Sequence, residues 1–206
     1  MKTILTIGRQ FGSGGHEIGE KLAEEFGIPF YDRELLARVA RESGFCEELI
    51  KDHDERPTNS FLYNLVMDAY SFGYNSAATV DMPISQKVFL AQFNAIKSIA
   101  EEGPCVIVGR CADYALSDNK NCLSIFIHSN MDAKIHRICE KYEYSETKAK
   151  DTIIKKDRQR QNYYNYYSSK KWGHADSYNL SIDSSILGID GTVALIKQFV
   201  QAFEDR

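Results

Sequence analysis

The residues best able to do chemistry in this 206-residue chain stand together near its start. Gly8-Arg9-Gln10-Phe11-Gly12-Ser13-Gly14-Gly15-His16-Glu17 follows the apolar run Ile4-Leu5-Thr6-Ile7. It precedes a helical pattern in which Ile18, Leu22 and Phe26 recur every four residues. A glycine-rich bend between a strand and a helix lets the backbone approach an anion closely. Its successive N–H groups form a concavity for phosphate, and the helix N-terminus adds positive partial charge. A tight strand-to-helix connection is the competing reading of the same glycines.

The spacing departs from the standard phosphate loop GxxxxGK[ST], which needs a lysine on the terminal phosphates and a hydroxyl on magnesium. Aligned on Gly14, Gly15 takes the lysine slot, and His16 and Glu17 stand where the hydroxyl should fall. Another cation must then offset the charge of a transferring phosphoryl group. Arg9 is one candidate, with an exposed loop arginine as its alternative, and His16 is a candidate phosphate contact. Glu17 is the candidate metal ligand, because magnesium accepts carboxylate oxygen. Against that stands a first-turn glutamate that complements the helix dipole.

Four further groups carry chemistry. Arg110 follows the apolar run Cys105-Val106-Ile107-Val108 and Gly109, at the carboxyl edge where open α/β sheets bind ligands. Its alternative role is to cap a neighbouring helix. Asp32, after Phe30-Tyr31, can orient an acceptor hydroxyl, hold a metal-bound water or cap the helix that starts near Arg33. Asp113 is placed to orient Arg110 or to cap a short helix. Arg158 and Arg160 lie in the run Lys155-Lys156-Asp157-Arg158-Gln159-Arg160. A planar guanidinium clamps a phosphoryl group by bonding two oxygens at once, although charge runs also make solvated helix faces.

These groups need a frame, and the alternation of short apolar runs with helical patterns supplies one: βαβ units on a mainly parallel sheet. Strands are expected at Ile4–Ile7, around Phe30-Tyr31, at Cys105–Val108, at Leu123–Ile127 and at Tyr178–Ile182. A polar helix is expected from Glu146 to about Tyr167, broken by Trp172-Gly173-His174, and a terminal helix carries Ile189, Val193, Ile196, Val200 and Phe203. Residues 46–86 lose this pattern and read as a mobile helical insert in one domain spanning 1–206. Tyr163-Tyr164-Asn165-Tyr166-Tyr167 with Lys170-Lys171-Trp172 has three readings: base stacking on nucleic acid, packing of the helix onto the body, and covering a nucleotide.

Composition narrows the partners. The chain is 43% hydrophobic and 26% charged, as a globular protein with a sizeable core should be. A net charge of -4 provides no global field for gripping nucleic acid. No apolar run approaches the roughly 18 residues of a membrane span, and the strand-like start leaves no room for a signal peptide. Five cysteines without a CxxC pair fit free thiols in a reducing cytoplasm. The oligomeric state stays open.

The segment from Gly8 to Gly15 with Glu17-Ile18-Gly19, then Ile28-Pro29-Phe30-Tyr31-Asp32, resembles the opening of the cytidylate kinase-like family. The likeness continues through Pro104-Cys105-Val106-Ile107-Val108-Gly109-Arg110-Cys111-Ala112-Asp113-Tyr114 and Asp157-Arg158-Gln159-Arg160-Gln161-Asn162-Tyr163-Tyr164. It ends in Trp172-Gly173 and Tyr178-Asn179-Leu180. The resemblance implies an α/β P-loop nucleoside-triphosphate-hydrolase-type three-layer fold, with an NMP-binding insert and a lid at about 146–176. It implies a cytoplasmic kinase of small-molecule nucleotides that uses ATP and magnesium, with CMP as the first acceptor to consider. It places Arg110 and Asp32 at the acceptor, Arg158 and Arg160 in the lid, and Arg137 facing phosphate. Cytidylate kinases carry GxGK[GS]T-like loops, so Gly15-His16-Glu17 leaves three rivals. These are a nucleotide-binding protein without activity, a kinase of another small phosphate acceptor, and an RNA-associated protein using the tyrosine-lysine segment.

Overall fold

Runs of Ile, Val and Leu with few polar interruptions favour strands covered on both faces, and here they form one parallel sheet. β1 (Ile4–Arg9), β2 (Phe30–Tyr31), β3 (Val106–Val108), β4 (Cys122–His128) and β5 (Leu180–Asp183) stand in the order β2-β3-β1-β4-β5. The computed structural model describes residues 1–44, 48, 52, 54, 55 and 82–206. Apart from isolated positions such as Asp54 and Glu55, the insert expected at 46–86 lies outside the described residues, as does Cys46.

The helices are α1 (Gly15–Phe26), α2 (Arg33–Ser43), α3 (Ile84–Glu102), α4 (Ala112–Ala115), α5 (Met131–Tyr142), α6 (Glu146–Tyr167) and α7 (Ser184–Glu204). Side chains alternate across the sheet. Leu5, Ile7, Val106, Val108 and Ile125 meet Ile18 and Leu22 of α1 and Val193, Ile196 and Val200 of α7. Ile4 and Ile107 point the other way, to Leu35 and Val39 of α2 and Ile96 and Ile99 of α3. The result is three layers. β1 is central, and its neighbours β3 and β4 are reached by connections running to opposite sides. That topology opens a crevice beyond the carboxyl end of β1.

α6 crosses the mouth of this crevice. Its apolar contacts are split between Ala149 and Ile153, which pack on Ile138, and Tyr163, Tyr164 and Tyr167, which pack on Phe89, Phe126 and Tyr178. The tyrosine run is therefore largely consumed by packing. The helix ends at Tyr167, as its sequence pattern indicates, where the Ser168 hydroxyl donates back to the Tyr164 carbonyl (2.7 Å) and the chain becomes extended. β5 begins at Leu180, two residues later than expected. The Asn179 side chain accepts from the Ser124 amide and hydroxyl (both 2.9 Å), anchoring the chain before the ladder starts. By length and composition α7 is apolar enough to cross a membrane, which is weak evidence for a helix that packs on the sheet.

The Phe89 and Tyr167 rings stack with centroids 4.1 Å apart, tying α6 to α3. Phe89→Ala should cost about 3–5 kcal/mol by opening a cavity there. Urea unfolding of the two proteins at neutral pH measures it, and a loss below about 1 kcal/mol would show that α6 is not held by this stack.

Candidate functional site

The bend after β1 is shaped by two glycines in the left-handed region, Gly12 (φ 83°) and Gly14 (φ 80°), a conformation that a Cβ penalises. Its carbonyls are taken. An Arg137 guanidinium N–H donates to Gly12 O (3.0 Å), the Ser184 hydroxyl to Ser13 O (2.6 Å), and the Ser13 hydroxyl to Gln10 O (2.9 Å). The amides that open α1 are left over. Ile18 N is the first amide of α1 to find a backbone carbonyl, that of Gly14 (2.9 Å). Among the described residues the amides of Gly15, His16 and Glu17 have no acceptor. This is the donor row that an oxyanion at a helix N-terminus requires.

One amide of the bend already holds an anionic group. Phe11 N donates to an Asp157 carboxylate oxygen from α6 (2.6 Å). The other oxygen of Asp157 lies 3.3 Å from the Lys134 ammonium, which also donates to Gln10 Oε1 (3.1 Å). Burial raises the Asp157 carboxyl, against the opposing pull of the Phe11 amide and the Lys134 charge.

Beyond the bend, a guanidinium cluster fills the crevice. Gly109, Arg110 and Cys111 have consecutive φ values of 78°, 54° and 54°, turning the chain sharply at the end of β3. Arg110, only 5% exposed, bends back to donate to Val108 O (3.1 Å) and to Asp32 Oδ1 (2.6 Å). Its Nε and Nη2 meet the two oxygens of Asp54 (3.0 Å each), and Gln92 of α3 steadies Asp54 (3.0 Å). The second Asp32 oxygen faces His16 Nε2 at 3.2 Å. Glu55 accepts from Arg9 Nη1 (2.7 Å) with one oxygen and from Arg160 Nε (3.2 Å) with the other. Arg160 also reaches Arg9 O (3.4 Å), and its guanidinium lies over the Phe11 ring. A cavity of about 20 Å³, room for one water, is bordered by Gly8, Arg9, Glu55, Arg110 and Arg160.

The charges act on one another strongly. Burial would raise the Asp32 carboxyl, but the hydrogen bond from His16 and the charge of Arg110 hold it well below the usual carboxylate range. Glu55 is likewise held down, with burial outweighed by the charges of Arg9, Arg160 and Arg110. Arg160 moves downward, through burial and the nearby Arg9 charge.

Of the residues singled out in the sequence, the fold gathers Arg9, His16, Asp32, Arg110 and Arg160 around the bend Gly12–Ser13–Gly14–Gly15, with Arg137 on its far side. Arg158 is exposed on α6, away from this cluster, and Glu17 is exposed on the first turn of α1. Asp32 occupies the N-cap position of α2 but makes no capping bond; its carboxylate serves Arg110 and His16. Asp113 neither orients Arg110 nor caps α4. It accepts from the Tyr164 hydroxyl (2.6 Å) and pairs with Lys170 (3.3 Å). Sequence reasoning passed over Asp54, Glu55, Asp157 and Lys134. The helical spacing Ala149, Ile153, Asp157, Arg160, Tyr164, Tyr167 was a usable signal, since it sets two charges inside an apolar stripe. Among the described residues no three His, Cys, Asp or Glu side chains are grouped so as to hold a metal by themselves.

The sequence model of the cytidylate kinase-like family matches residues 4–186. No curated protein matches the chain. Among solved structures, an uncharacterized protein from Eubacterium ventriosum is similar at 31% identity, covering 97% of this chain and 99% of its own, with a TM-score of 0.73. A shikimate kinase from Bacteroides thetaiotaomicron (13% identity, 98% and 99% covered, TM-score 0.53) shares the fold. So does a gluconokinase from Sinorhizobium meliloti (13% identity, 98% and 96% covered, TM-score 0.51).

The depressed carboxyl of Asp32 gives a pH test. A folded pKa below the unfolded value of about 3.9 contributes stability that is present above that value and lost as pH falls through the folded one. Asp32→Asn should therefore be less stable than wild type at pH 7, and the gap should close as the pH falls from about 4 toward 2. Urea midpoints across that range check it, and a gap independent of pH would contradict the ion-pair assignment.

Proposed function

Because the chain belongs to the cytidylate kinase-like family, we propose that it is a phosphotransferase moving the γ-phosphoryl group of ATP to a nucleoside monophosphate, with CMP as the first candidate. The observation that carries the proposal is the row of uncommitted α1 amides beside a cluster of guanidiniums at the carboxyl end of β1 and β3. Amides bind donor phosphates without side-chain charge, and guanidiniums supply the charge that a transferring phosphoryl group needs.

In this reading the bend holds the donor phosphates, Arg110 and Asp32 face the acceptor, and Arg160 reaches the transferring group from the lid, about residues 146–176. Arg158, exposed one face away, joins only if the lid turns it inward. An oxygen of the acceptor phosphate attacks the γ-phosphorus. The bond from that phosphorus to the bridging oxygen breaks, and ADP leaves with its electron pair. A dianionic acceptor has no proton to lose, so positioning and charge neutralisation are the main tasks of the protein. Magnesium needs only one or two carboxylates beside the nucleotide's own oxygens. Glu17, exposed beside the open amides, fits that modest requirement, and the ion would neutralise phosphate charge. A cytoplasmic setting follows from the nucleotide substrates.

The rival reading, nucleotide binding without transfer, is favoured by one feature, the glycine in the lysine slot. ADP release measured across the common nucleoside monophosphates separates the two. Turnover of at least one is expected, and Arg160→Ala should lower kcat/KM about 10²–10³-fold. ATP binding with no turnover of any monophosphate would support the rival.

A further inference from the structure

We infer that Arg9 is the cation of the donor-phosphate site, doing from the end of β1 what a lysine at position 15 does in the standard loop. This rests on the phosphotransferase reading and assigns the group that reading lacks.

The lysine slot is not merely vacant of lysine; it is closed. A Cβ on residue 15 would lie 2.5 Å from Arg9 Cβ and 3.2 Å from Arg9 Cγ. The shorter contact is with a Cβ fixed by the strand backbone, so no side chain fits at position 15 while residue 9 carries one. The far end of Arg9 makes the same demand. A Cβ on Gly109 would collide with Arg9 Nη1 and lie 2.7 Å from Glu55 Oε1, and Gly109 also has a left-handed φ of 78°. Two glycines, one opening α1 and one following β3, thus border a single arginine at its root and its tip. Arg9 runs between them, 9% exposed.

At its tip an anionic group is already held. Arg9 Nη1 and Arg160 Nε meet the two oxygens of one carboxylate, Glu55, from different elements. Two planar donors converging on one oxyanion form a phosphoryl clamp, with the carboxylate standing in for phosphate oxygens. The other cations near the bend are committed elsewhere. Lys134 is bound between Gln10 and Asp157, Arg137 is tethered to the Gly12 carbonyl, and Arg110 is held by Asp32 and Asp54. Arg9 forms and breaks no bond; its charge offsets that of the phosphoryl oxygens. Glu55 is the counter-ion those oxygens displace.

The test uses inorganic tripolyphosphate and magnesium-ATP as binding probes, read by calorimetry, together with ADP release. Arg9→Met should weaken tripolyphosphate binding about tenfold or more and lower turnover about 10²–10³-fold. Returning the charge to the loop should restore function: Arg9→Gly with Gly15→Lys should exceed Arg9→Gly alone about tenfold in both readouts, which a merely structural arginine would not allow. Glu55→Gln, which keeps Arg9, should tighten tripolyphosphate binding, so the idea remains testable if Arg9→Met unfolds. Wild-type turnover in Arg9→Met, or a folded double variant no better than Arg9→Gly, overturns the assignment and leaves the kinase reading standing. Arg9-dependent tripolyphosphate binding without turnover of any monophosphate does the reverse.

Discussion

Guanidiniums that share a poorly hydrated crevice must be given counter-charges, and this requirement organises the carboxyl edge of the sheet. Arg9 from β1, Arg110 from the turn after β3 and Arg160 from α6 are matched by Asp32, Asp54 and Glu55. Each pair joins elements distant in sequence. Removing one partner would strand a charge with little access to water, typically at a cost of about 3–5 kcal/mol. The cluster therefore fixes where strand ends and α6 sit relative to one another. Because it is neutral as a set, an incoming oxyanion can exchange places with a carboxylate without leaving an arginine unmatched. A site of fixed excess positive charge would need solvent or salt to stabilise it while empty.

The turn at Gly109-Arg110-Cys111 shows what this arrangement demands of the backbone. Non-glycine residues in the left-handed region lose roughly 1–2 kcal/mol each, and Arg110 and Cys111 both lie there. The turn sends the Arg110 side chain back over its own strand, to the Val108 carbonyl and the Asp32 carboxylate, rather than into solvent. Backbone strain of this kind persists only where surrounding contacts over-determine it. Arg110 makes four such contacts, to Val108, to Asp32 and to both oxygens of Asp54, and Gln92 holds Asp54 from behind.

The frame was legible because parallel-sheet strands and their covering helices are local patterns: β1, β3 and α1 can be read from Ile, Val and Leu placement alone. The bend was legible for the same reason, since its glycines are contiguous. The counter-ions were not. Glu55 is separated from Arg9 by 46 positions and from Arg160 by 105, and nothing in the spacing of a charge-rich segment says which carboxylate will turn inward. Arg158 and Arg160 look equivalent in the run that contains them. A helix turns about 100° per residue, so two positions apart they face different sides: Arg160 joins the stripe of Ile153, Asp157 and Tyr164, and Arg158 faces water. Charges interrupting an apolar stripe at the right period deserve a buried reading, whereas the same charges in linear sequence suggest a solvated face.

With Arg9 assigned as the phosphate cation, the lysine-free loop follows from where that cation is rooted. A lysine at the start of α1 would hang from a helix end whose amides must stay open, on a flexible four-carbon stem that loses rotamer freedom each time it binds. Arg9 is the last residue of β1, paired in register with Ile127 of β4, so its Cα is set by the sheet. Its side chain is confined by the backbone at Gly15 and Gly109, and its planar head presents several donors without rotation. Much of the ordering that a loop lysine undergoes on binding is thereby completed when the protein folds. The adjoining glycines leave room for this course at both ends: a Cβ at position 15 would meet Arg9 Cβ at 2.5 Å, and one at position 109 would meet the guanidinium.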